Sequence, residues 1–111
     1  MLGVKVDQQE GLVVVRFEAG NLTSDEQILR ISDELSQVLQ STTAGTTLLL
    51  DFRDVEIVAS MMLGDLVALN KRALRKGVIL QLCGLSPAAM RVIQTCKLDR
   101  LFDILEHPLG E

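Results

Sequence analysis

Few residues of this chain combine the right type with the right spacing to do chemistry. Its one histidine, His107, stands beside Pro108 with no serine, cysteine or carboxylate pair spaced to make a nucleophile and its base. Cys83 and Cys96 are 13 residues apart, without a CxxC or HxxxH pattern, so no metal is expected. Gly84-Leu85-Ser86-Pro87 carries one glycine and is no phosphate loop, so no cofactor is expected either. Asp51, Asp54 and Glu56 cluster behind an apolar run, where they read more simply as a solvated turn than as an acid/base pair. The chain therefore holds no complete catalytic set and is read as a non-enzyme. What remains is Ser60, a hydroxyl at the start of an amphipathic helix, where backbone N–H groups and the helix dipole would stabilise a phosphate attached to it. The alternative is that Ser60 is only the helix N-cap, stabilising by about 1 kcal/mol.

The elements that must position this hydroxyl are legible from periodicity. Val4 and Val6 alternate with polar neighbours, and after Gln8-Gln9-Glu10-Gly11 the β-branched run Leu12 to Phe17 predicts a hairpin. Ser24, followed by Gln27 three residues on and with Asp25 and Glu26 between, opens a helix. Ile28, Ile31, Leu35, Val38 and Leu39 form its buried stripe, with Arg30, Asp33, Glu34 and Gln37 on the other side. Thr46 to Phe52 reads as a central parallel strand buried on both faces. Beyond Val55 to Ala59, the helix over Met61 to Lys76 carries a broad stripe of Met62, Leu63, Leu66, Val67, Leu69, Ala73 and Leu74. Basic residues in its last turns and Gly77 beyond them mark its end. Val78 to Cys83 is a further buried strand, and Ser86-Pro87 starts a third helix with Met90, Ile93 and the stem of Lys97 on one face. The segment from Leu98 to Leu105 is read as a last turn running into a short edge strand, and His107 onward as a loose tail. The order predicts an α/β (α+β) fold, a mixed sheet with helices packed on it, as a single domain over 1–111.

Composition limits the partners. The 111 residues carry 11 Lys and Arg against 15 Asp and Glu, a formal net charge of −4, which argues against nucleic acid. No apolar run approaches membrane-spanning length and no export signal is seen, so a cytoplasmic chain without membrane insertion is expected. Both cysteines are read as buried small hydrophobes. With neither Trp nor Tyr and only 3 Phe, any partner surface must be aliphatic and polar.

Several segments together carry a family likeness. Gly20-Asn21-Leu22, Leu48-Leu49-Leu50-Asp51-Phe52, Ile57-Val58-Ala59-Ser60-Met61-Met62-Leu63-Gly64, Gly84-Leu85-Ser86-Pro87 and Lys97-Leu98-Asp99-Arg100-Leu101-Phe102 resemble, in order and spacing, the STAS domain of anti-sigma-factor antagonists. They are similar respectively to a Gly-x-Leu-Asp turn, a strand ending in Asp, a Phe-Ile-Asp-Ser-Ser-Gly-Leu-Gly segment, a Ser-Pro helix start and a Gly-Leu-Asp-x-Leu-Phe ending. The resemblance implies a regulatory domain that docks on a serine kinase that is also an anti-sigma factor, with Ser60 at the phosphoacceptor position. It implies a docking surface of Asn21, Thr23, Ser24, Ala59, Ser60, Met61, Met62 and Asp65, and leaves homo-oligomerisation open. The departures are Thr23 and Ala59, where the family motifs have aspartates, and Met61 and Met62, where they have serine and glycine. The other reading is a constitutive subunit of a larger assembly, such as an ATPase-driven transport system, in which Ser60 is never phosphorylated.

Overall fold

The alternation of Val13, Val15 and Phe17 with half-buried neighbours gives strand β2 (Leu12–Phe17) one face for a core, and β1 (Val4–Gln9) pairs with it antiparallel. The computed structural model describes residues 3–18 and 20–105, so the reading of His107 lies outside the described residues. Chain order continues through β3 (Asn21–Leu22), α1 (Asp25–Ser41), β4 (Thr47–Asp51), β5 (Ile57–Val58), α2 (Ser60–Lys76), β6 (Ile79–Cys83), α3 (Pro87–Thr95) and β7 (Asp103–Ile104).

The main sheet has five strands in the order β1-β2-β4-β6-β7, with every pairing after the first parallel. β4 is its centre, and Leu48, Leu49, Leu50 and Asp51 are all buried, as the continuous apolar run predicts. Alternation sends Leu48, Leu50 and Phe52 to the helix-covered face, where they join Val15, Phe17, Leu80 and Leu82. Phe17 and Phe52 stack there with centroids 4.5 Å apart. Ile28, Ile31, Leu35 and Leu39 of α1 and Met62, Leu63, Leu66, Leu69 and Ala73 of α2 close this core from above.

Helix ends follow the expected chemistry at α1 and α3. The Ser24 hydroxyl accepts from the Gln27 amide at 3.4 Å, and the Ser86 hydroxyl from the Ala89 amide at 3.0 Å with Pro87 in the first turn. Gly77 ends α2 at φ 80°.

Three expectations about side-chain placement fail. Leu74 is 68% exposed, because β7 is two residues long and none of the described residues extends the sheet beneath that end of the α2 stripe. Cys96 is exposed, since it caps the end of α3 beyond its apolar face; Cys83 is buried as expected. Lys97 is exposed and off the helix: it adopts φ 59°, and the Leu98 amide bonds back to the Ile93 carbonyl at 2.9 Å to close the turn.

Candidate partner-binding site

The parallel strands β2, β4 and β6 all end on one side of the molecule, the side where α/β folds place their working loops. A second, two-stranded sheet forms there, with β3 parallel to β5 and Asn21 and Leu22 opposite Ile57 and Val58. Its ends are tied by the Glu56 amide to the Gly20 carbonyl at 2.7 Å and the Ala59 amide to the Leu22 carbonyl at 2.8 Å. This small pair was not foreseen, because a two-residue strand has no periodicity to detect.

The last of those bonds decides where α2 begins. It holds Ala59 extended, at φ −73° and ψ 155°, so the Ala59 carbonyl already accepts from Met62 at 3.0 Å and Leu63 at 3.2 Å. Ala59 is therefore the N-cap, Ser60 is the first helical residue, and the expectation that Ser60 caps the helix is corrected. Alanine has no acceptor to offer; α2 starts without a side-chain cap bond and without an acidic residue in its first turn.

Of the candidate docking residues, Asn21, Thr23, Ser24, Ser60 and Met61 are exposed and Ala59 is half-buried. The β3–β5 pairing sets Asn21 opposite Ile57, an aliphatic residue 46% exposed that stands four residues before Met61, which is 40% exposed. Met62 is the exception. Its side chain is fully buried, because it shares the helical stripe of Leu66, Leu69 and Ala73, and it cannot contact a partner. Asp65 is half-buried and accepts a hydrogen bond from the Ser32 hydroxyl at 2.6 Å, so it ties α2 to α1.

Beside the small sheet, the loop between β4 and β5 is locked by charge. Buried Asp51 accepts from the Arg53 amide at 3.0 Å, from Arg53 Nε at 2.8 Å and from Nη2 at 2.7 Å. The Phe52 amide bonds the Cys83 carbonyl at 2.9 Å, and Gly84, at φ 71°, packs so close that a Cβ there would lie 2.8 Å from the Arg53 nitrogen. Further out, Arg16 Nε donates to Asp54 at 2.8 Å. That hydrogen bond, aided by the charges of Arg16 and Arg53, holds the Asp54 carboxyl below its ordinary pKa against the opposing effect of desolvation. On the other side, the Ser86 hydroxyl donates to the Glu56 carbonyl at 2.6 Å while capping α3. The Asp51 and Asp54 carboxylates are thus structural groups of the loop, and Asp51, buried against Arg53, is not part of a solvated turn as expected. Among the described residues no group of three or more His, Cys, Asp and Glu is placed to hold a metal ion, and no helix is long and apolar enough to cross a membrane.

A mixed sheet covered by helices on one face, with an exposed serine at the junction of β5 and α2, defines the class: the fold of the anti-sigma-factor antagonists. An anti-sigma-factor antagonist (STAS) domain protein from Planctomyces limnophilus superposes with a TM-score of 0.83 at 22% identity, over 96% of this chain and 92% of that one. An anti-sigma factor antagonist from Mycobacterium paratuberculosis gives 0.80 at 20% identity, over 99% and 88%. A sulfate transporter family protein from Wolinella succinogenes gives 0.70 at 16%, over 87% and 78%. The family model described as "Mlab, STAS domain" matches residues 5–106, and the chain belongs to this STAS family. Among curated proteins none is similar at a significant level.

Proposed function

We propose that this chain is a non-catalytic regulatory domain that docks on a serine kinase of the anti-sigma-factor type through the β3–β5 edge and the start of α2, and that phosphorylation of Ser60 releases it. The observation that supports the reading is the exposure of Ser60 at the first turn of α2, next in the chain to exposed Met61 and three residues after exposed Ile57. Transfer of the γ-phosphoryl group of ATP to the Ser60 hydroxyl, with loss of its proton and release of ADP, adds about −1.5 to −2 charge there. With no carboxylate in the first turn and the dipole's positive end beneath it, the phosphate is well tolerated by the free domain. In a docked complex the same dianion is pressed into an apolar contact and loses its water, which weakens binding.

The test is phosphorylation by a serine kinase partner recovered from the native cell, followed by mass spectrometry of Ser60 and binding of Ser60→Asp. Modified Ser60 and weakened binding of Ser60→Asp support the switch; an unmodified serine with undiminished binding of Ser60→Asp ends it. A second reading is favoured by Ala59, which removes the family carboxylate beside the acceptor, and by the likeness to the sulfate transporter family protein. On that reading the domain is a permanent subunit of a transport assembly, and Ser60→Asp disturbs assembly no more than other exposed substitutions do.

A further inference from the structure

Exposed large aliphatic side chains are few among the described residues, and most of them sort to the two ends of α2. Ile57 and Met61 flank its start, within the site already described. Leu74 (68% exposed), Ile79 (51%) and Leu101 (39%) gather at its other end, roughly 24 Å away at 1.5 Å per residue. These three line one recess of about 360 Å³, floored by Val78 and Leu80, where the two-residue β7 stops short of covering β6. The recess is wide enough for one or two aliphatic side chains.

The residues next to its lining in the chain are basic, in an acidic protein. Seven of the 11 Lys and Arg fall within residues 71–100, where Asp99 is the one carboxylate. Two of the seven have other work: Arg72 donates to the Ser36 hydroxyl at 2.9 Å, and Lys76 binds the Leu39 and Gln40 carbonyls. Lys71 and Arg75 are exposed and lie one helical turn before and one residue after Leu74, and exposed Arg100 precedes Leu101. Asp103, which also lines the recess, accepts from Gln81 Nε2 at 2.8 Å.

We infer that the C-terminal end of α2 is a second docking surface, and that it takes an acidic, aliphatic segment of a partner protein, whose apolar side chains enter the recess while its carboxylates meet Lys71, Arg75 and Arg100. Charge complementarity selects the acidic partner. Concavity selects protein over an anionic lipid surface, because a recess of about 360 Å³ takes up protruding side chains and does not lie flat on a membrane. Two docking surfaces at opposite ends of one helix would let the domain bridge two partners.

The probe is a synthetic amphipathic peptide of about 15 residues with a Leu stripe and otherwise Glu, titrated into the isotope-labelled chain and followed by NMR. Saturable shifts are expected at Leu74, Ile79 and Leu101 and not at Ile57 or Met61. Lys71→Glu with Arg75→Glu, and separately Leu74→Ser, weaken binding about tenfold or more, while Ser60→Asp leaves it unchanged. These side chains are exposed, so thermal melts of the variants confirm that each remains folded. Absence of saturation up to about 1 mM peptide overturns the inference, as do shifts centred elsewhere. Binding of phosphatidylglycerol vesicles that the same substitutions abolish, with the peptide unbound, replaces the protein partner by a membrane. Because Ser60→Asp is silent here, failure of this surface is distinct from failure of the Ser60 switch.

Discussion

Replacing Ala59 with aspartate should stabilise the domain, and the size of the gain follows from the geometry at the start of α2. The backbone of residue 59 is already in the extended N-cap conformation, held there by the bond from its amide to the Leu22 carbonyl, so the substitution needs no rearrangement. A carboxylate at that Cβ can accept from the first-turn amides that alanine leaves without a side-chain acceptor, worth about 1 kcal/mol. Its charge against the dipole contributes about another 0.5 kcal/mol. For 111 residues the unfolding entropy is about 0.23 kcal/mol per kelvin, so about 1.5 kcal/mol raises Tm by about 6 °C. The new carboxylate is stabilised in the folded state, so its folded pKa lies below the unfolded value of about 3.9. The gain is therefore complete above that value and disappears as pH falls through the folded pKa. Thermal melts of Ala59→Asp and Ser60→Ala between acid and neutral pH check both halves. Ser60→Ala should be neutral within about 0.5 kcal/mol, because Ser60 is exposed and makes no cap bond. A neutral or destabilising Ala59→Asp together with a clear loss in Ser60→Ala would show that the serine caps the helix after all.

Lys97→Gly should stabilise by about 1 kcal/mol, since Lys97 sits at φ 59°, a conformation that glycine adopts freely; a denaturant midpoint that fails to rise refutes this. Asp51→Ala should lose about 2 kcal/mol, because it strips the Arg53 amide and guanidinium of a buried acceptor, less than a fully buried pair would because Arg53 is partly exposed and can be resolvated. Gly84→Ala should lose about 3 kcal/mol from its positive φ and a Cβ that would approach the Arg53 nitrogen to 2.8 Å; urea unfolding measures both. Asp54→Asn should flatten the acid side of the stability profile. The depressed Asp54 pKa means its contribution is present above the unfolded value and fades as pH falls through the folded one, which melts at stepped acid pH resolve.

Residue order alone determined the helices and the strands of the main sheet, though not the small β3–β5 pair. The continuous run of Thr46 to Phe52, the helical stripes, the Ser24 and Ser86 caps and Gly77 each encode their own conformation within a few residues, so the central strand, three helices and mixed sheet are legible without coordinates. Ser60 was legible too, as a hydroxyl at a strand-to-helix junction. Only tertiary structure decided its role there. A hydrogen bond from Ala59 to Leu22, residues far apart in the chain, shifts the helix start by one residue, and with it the cap. The same holds for Met62 and Leu74, two members of one sequence stripe: Met62 is sealed beneath α2, whereas Leu74 overhangs a strand that ends too soon. Local propensity acts over a few residues, while burial depends on which distant segment arrives to cover a side chain, and for Leu74 none of the described residues does.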